Sequence, residues 1–184
     1  MTALADDLDR RLRRLEAESA IRACLTTYMD LCDHLDPHTD LAALGGLFTP
    51  DCVWEGRGSR YGETFGRHEG RAAIVAYLGS YCEPQHFAAN AHFLSSERIA
   101  VAEDGATATG HWMMLQTPTF HDGSSFLMAA RLDIDFCLDD GEWRMARFGT
   151  TNLYARPVGA WNQPTPIPSP PVARARTEPE EQPQ

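Results

Sequence analysis

The chain has 184 residues, 43% of them hydrophobic and 23% charged, with a formal net charge of −10. That is enough for one domain with a real core, and the acidic balance argues against a surface for nucleic acid or an anionic membrane, which would need a basic patch. No apolar run reaches the roughly 20 residues of a membrane helix, and the charged stretch Met1–Arg14 lacks the apolar segment of a signal peptide.

Residues 6–34 have helical spacing: Leu8, Leu12, Leu15, Ile21, Leu25, Tyr28, Met29 and Cys32 recur at intervals of three and four. Pro37 closes this pattern. A short helix is predicted around Asp40–Phe48, then a short strand at Cys52–Glu55. Residues 56–70 hold five glycines among charged residues and read as a loop. Arg71–Tyr81 reads as a third helix, closed by Pro84.

From His86 to Tyr154 the chain reads as four strands. Three Asp-Gly pairs, Asp104-Gly105, Asp122-Gly123 and Asp140-Gly141, mark the turns, because glycine accepts positive φ without a Cβ clash. The runs between them are Ala106–Phe120, Ser124–Leu138 and Trp143–Tyr154. Helices on one side of an antiparallel sheet give an α+β class. The expected architecture is a curved antiparallel sheet forming a half-open cone, closed by three N-terminal helices, with a pocket in its mouth. Eight of the 12 prolines fall between Pro157 and Pro183. The domain is therefore drawn at 1–156, and residues 157–184 are expected to be extended or disordered, with Trp161 and Ile167 as anchors.

Five scattered cysteines without a C-x-x-C pair suggest neither a zinc clip nor a disulfide framework. A reduced, cytoplasmic protein without metal or cofactor is expected.

Five stretches in order carry a resemblance. They are Tyr28-x-x-x-x-Asp33, Leu47-Phe48-x-Pro50-Asp51-Cys52-Val53-Trp54, and Gly70-Arg71-x-x-Ile74. Then come His92-Phe93-Leu94 with Ile99-x-Val101 and Asp104-Gly105-Ala106, and finally Gly141-Glu142-Trp143-Arg144-Met145. Over roughly residues 10–155 the chain resembles the SnoaL-like families of the nuclear-transport-factor-like cone superfold. That superfold hosts dehydratases, ketosteroid isomerases, polyketide cyclases, epoxide hydrolases and noncatalytic modules, so site residues must choose among them.

The resemblance puts His92 where SnoaL-like dehydratases keep a catalytic histidine. An unperturbed imidazole titrates near pH 6.5 and can take and return a proton. Asp33 is the natural acid partner, with Asp30 as its rival. Asp33 lies five residues after Tyr28, roughly 140° around a helix, so the two flank a pocket only at a helix end. Tyr28 would donate to a developing enolate oxygen. His111 matches a histidine in scytalone dehydratase and would protonate a departing hydroxyl, with Met113 beside it in the substrate site. Trp54 would wall a flat substrate, Arg147 would bind a carboxylate or carbonyl, and Asn152 would sit near the mouth.

These residues point to a cofactor-independent lyase or isomerase of a small apolar cyclic, polyketide- or steroid-like carbonyl compound. The alternatives are a noncatalytic binding or accessory subunit, such as the small partner of a ring-hydroxylating oxygenase, and an epoxide hydrolase using Arg131 and Asp133. Apolar residues on both parities of Ser124–Leu138 predict a homo-oligomer, and the relatives suggest a dimer or trimer.

Overall fold

A computed structural model describes residues 2–159. Trp161, Ile167 and most of the proline-rich tail, for which anchoring and extension were expected, lie outside the described residues. Helix α1 spans Thr2–Asp33, uninterrupted by proline or glycine. Its second half packs inward through Ile21, Leu25, Tyr28, Met29 and Cys32. Its first half does not: Leu8, Leu12 and Leu15 share the helical spacing but are 54–62% exposed.

Asp40 caps the short α2, Leu41–Gly46, by accepting from the backbone N–H groups of Ala42 and Ala43 at 3.0 and 2.9 Å. Strand β1 then runs from Phe48 to Arg57, well beyond the expected Cys52–Glu55.

The expected loop over 56–70 is instead helix α3, Gly58–Phe65, followed by β2, Arg67–Glu69, which pairs antiparallel with β1. Here glycine marks close packing. The Tyr61 carbonyl presses against Gly56 at a distance that leaves no room for a Cβ. Tyr61 itself is buried. A fourth helix, α4, covers Arg71–Gly79, so four helices stand where three were expected.

Four long strands follow: β4 His92–Val101, β5 Thr107–Gln116, β7 Ser125–Asp139 and β8 Glu142–Val158. β3 (Phe87–Ala89), just before β4, and β6 (Thr119–Phe120), between β5 and β7, form a small pair. The expected strand Ala106–Phe120 breaks because Pro118 has no N–H to give the ladder. All three Asp-Gly pairs lie at turns, with glycine φ of 65°, 82° and 81°. The sheet order is β2-β1-β8-β7-β5-β4, with β1 parallel to β8. The last strand passes the expected Tyr154 end by four residues, Pro157 pairing with Phe126. Phe48, Phe136, Ile21, Ile74 and Leu132 form the centre of the core between helices and sheet.

On the inner face of β5, Gly110 lets the Trp112 ring lie flat against the strand. An added Cβ there would overlap that ring and approach Phe136 to 3.1 Å. The same indole donates to Glu97 at 3.2 Å, and Glu97 accepts two bonds from Arg22 of α1. Gly110→Ala is therefore expected to cost about 1–3 kcal/mol through overpacking, read as a lower urea midpoint with an unchanged slope. An unaltered midpoint would show that Trp112 is not held there.

The outer face carries a lateral charged row. Arg98 is registered with His111, His111 with Asp133, Asp133 with Gly149, and Gly149 with Glu55. Arg57 lies across Gly149 to reach Glu55 at 2.8 Å and Asp133 at 3.4 Å. Arg147 and Arg67 also hold Glu55, at 2.8 and 2.7 Å. Partial burial works to raise the Glu55 carboxyl, but bonds from Arg147, Arg57 and Arg67 outweigh it and hold it at about 2. A depressed folded pKa stabilises the fold above the ordinary value of 4.5, and that stabilisation is lost as pH falls toward about 2. Glu55→Gln should flatten the stability-versus-pH curve across that acid window. A curve of unchanged slope would remove Glu55 from the acid response.

Candidate active site

Helices α1, α3 and α4 close the inner face of the sheet around a cavity of about 490 Å³. Its walls are largely aromatic. Trp54 lies parallel to Phe148, centroids 5.6 Å apart, and against Tyr77 at 5.2 Å. Phe87, Phe120 and Tyr81 come from the β3–β6 pair and the turn after α4. The polar groups among these walls are the hydroxyls of Tyr28, Tyr61, Tyr77 and Tyr81, with Asn90, His92, Gln116 and Thr150, and exposed Arg60, Thr64 and His86.

His92 opens β4, and Asp33 is the last residue of α1. A carboxylate only accepts, so Asp33 Oδ1 takes the Nδ1–H of His92 at 2.6 Å. Its second oxygen takes the His92 backbone N–H at 3.1 Å. A third bond, from Asn90 Nδ2 to the Cys32 carbonyl at 3.3 Å, ties the same junction. These contacts fix the ring and its tautomer, and leave Nε2 with a lone pair and no protein partner among the described residues. The His92 side chain is 10% exposed and lines the cavity. Asp33 stands behind it, outside the lining. This resolves the roughly 140° offset from Tyr28: the acid reaches sideways to β4 while the phenol faces the cavity. Asp30 is exposed and lies beside His34 instead.

Tyr28 lies on the buried face of α1, 3% exposed. Its oxygen accepts from Trp54 Nε1 at 3.0 Å. Burial pushes its pKa well above the ordinary phenol value, so it remains a donor. Burial likewise pushes the neighbouring Cys32 thiol up to about 12, so it is not a thiolate nucleophile at neutral pH.

The remaining expected residues do not meet here. His111 and Met113 point to the outer face of β5, where His111 Nδ1 bonds Asp133 at 2.7 Å with its side chain half exposed. The inner face carries Ala108, Gly110, Trp112, Met114 and Gln116. Arg147 is an outer-face partner of Glu55. Asn152 donates to the Ala129 and Tyr154 carbonyls at the β7–β8 bulge. The Arg131–Asp133 arrangement lies on the outer face too, with Asp133 already held by His111 and Arg57.

The expectation had no place for Asn90 and Gln116. Asn90 must aim Nδ2 at the Cys32 carbonyl, so its oxygen accepts Gln116 Nε2, at 3.0 Å. Gln116 is registered with His92, so its amide lies beside the imidazole. The available signal was that Gln116 shares parity with Trp112 and Met114.

Residues 13–149 match the SnoaL-like domain family. No curated protein matches the sequence. Among solved structures, a type 2 LinA hexachlorocyclohexane dehydrochlorinase is 17% identical, with a TM-score of 0.68 over 88% of this chain and 99% of that one. A scytalone dehydratase candidate from Novosphingobium aromaticivorans is 16% identical, with a TM-score of 0.67 over 89% and 97%. An NTF2-like protein with a cystatin-like fold from the same organism is 24% identical, with a TM-score of 0.63 over 80% and 89%. At these identities the likeness shows the fold.

Proposed function

The chain belongs to the SnoaL-like domain family, and we propose that it is a cofactor-independent lyase or isomerase acting on a small, largely apolar cyclic carbonyl compound. One observation carries this reading: an imidazole held by a carboxylate at 2.6 Å, its other nitrogen left free at an aromatic-walled cavity. His92 Nε2 takes the proton from the carbon next to the carbonyl. The C–H electron pair enters the new C=C bond, and the carbonyl oxygen gains negative charge. Tyr28 donates its O–H to that oxygen, strengthened as a donor because it accepts from Trp54. When a leaving group sits on the β-carbon, the enolate collapses and expels it with its bonding pair, and the proton on His92 goes to the leaving group. Without one, the proton returns at another carbon and the double bond shifts. The dehydrochlorinase and dehydratase neighbours, whose names imply loss of HCl or water, motivate the elimination branch. Because His111 faces outward, the acid role falls to Tyr28 and to protonated His92. The charged row makes the outer sheet face less apolar than expected, but Leu153 and Tyr154, 43% and 48% exposed, still support a homo-oligomer.

The first step is common to every branch and is testable without the natural substrate. A panel of bicyclic and tricyclic ketones, with and without a β-hydroxyl, is incubated with the protein in deuterated water. Mass spectrometry should find deuterium entering next to the carbonyl faster than in buffer for at least one member. Binding of several members without exchange in any would favour a noncatalytic module instead.

A further inference from the structure

We propose that the first half of α1 is a self-pairing surface that joins two copies of this chain as an antiparallel helix pair. Leu4, Leu8, Leu12 and Leu15 are 69%, 55%, 54% and 62% exposed. At roughly 100° per residue they fall within about 80° of one another, a single stripe. Inward packing of α1 begins only at Ala17. The projecting half, residues 2–16, is no longer than the roughly 12–15 residues at which a helix standing alone in water is still marginal. Its local support is three exposed ion pairs, Asp7–Arg10, Asp9–Arg13 and Arg14–Glu18, and such pairs contribute little.

The charge order selects the occupant. Asp6, Asp7 and Asp9 precede Arg10, Arg11, Arg13 and Arg14. A parallel copy would set acid on acid and base on base. An antiparallel copy sets each acidic half against a basic half. The leucines obey the same two-fold: with Leu8 of one copy opposite Leu12 of the other, Leu4 falls beside Leu15. On one flank of the stripe lie Asp7, Arg11 and Arg14, so Asp7 meets the second copy's Arg11 and Arg14. Arg11 has no ion pair among the described residues. The surface is thus complementary to itself, as a two-fold dimer contact requires.

The register gives the test. Leu8→Cys and Leu12→Cys chains are oxidised separately and as a mixture, with the unsubstituted chain as control for its five native thiols. Cysteines with Cα atoms beyond about 7 Å cannot bridge. The mixture should therefore give at least about five times the disulfide dimer of either variant alone. Equal or greater self-linking by one variant, or no linking in any combination, overturns the proposal. In sedimentation, Asp7→Arg should weaken self-association about tenfold, each of two symmetric contacts turning repulsive. Asp7→Arg combined with Arg11→Asp should restore it. An association constant unmoved by Asp7→Arg overturns the charge-set register. Circular dichroism of each variant should match the parent, since these side chains are exposed.

Discussion

His92→Ala should lower the rate of ketone deuteration, and of any turnover that follows it, by at least about 100-fold, since a positioned general base contributes roughly 10²–10⁴-fold. The change is small for the fold. His92 is a strand-initial residue whose backbone N–H still reaches Asp33, and its ladder partner Gln116 is unaffected. Thermal unfolding should move far less than the rate. Removing the ring also leaves a hole beside Asp33 the size of an imidazole. Added imidazole should then restore part of the lost rate, saturably, because the carboxylate remains to orient it. A variant within a few-fold of the parent would end the proton-transfer reading. A slow variant that imidazole does not rescue, with intact ketone binding, would leave His92 a wall of the cavity and not a base.

What was legible in the sequence was whatever local chemistry decides. The Asp-Gly pairs specify turns because few residues tolerate positive φ, and all three glycines adopt it. The pairing of Asp33 with His92 was legible only through the resemblance to SnoaL-like dehydratases, which placed the histidine; the local sequence added that Asp33 lies near a helix end, where a side chain can turn toward the next element. Face assignment was not legible on β5. Thr109, Met113 and Leu115 look as apolar as Trp112 and Met114, and alternation alone does not say which set is inside. Gly110 decides it, since the broad Trp112 ring needs the room glycine leaves. The glycine-rich stretch 56–70 misled for a related reason. Glycine marks flexibility and close approach alike, and only the Tyr61 carbonyl against Gly56 distinguishes them. Likewise Leu8, Leu12 and Leu15 have core spacing, and nothing local says that the core ends at Ala17.

Asp33→Asn should cost about 10²–10⁴-fold in turnover while leaving the affinity for the ketone nearly unchanged, because Asp33 does not line the cavity. The loss follows from hydrogen-bond directions. In the parent, one carboxylate oxygen takes the His92 backbone N–H and the other the ring Nδ1–H. An asparagine at that position has only one oxygen. The backbone N–H is fixed and claims it, so the amide N–H₂ must face Nδ1. A donor facing Nδ1 requires that nitrogen to carry the lone pair, and the ring proton moves to Nε2. The cavity then receives an N–H where the base's lone pair had been. On the proposed reading Asp33 is a positioning residue acting through His92, and two readouts separate that role from mere support. Nitrogen NMR of the ring should report the opposite tautomer at neutral pH, and the pH profile of the residual rate should lose the limb that belongs to the histidine. An Asp33→Asn chain with the parent's tautomer and a rate within a few-fold would mean that the carboxylate serves only to pin the end of α1 to the start of β4.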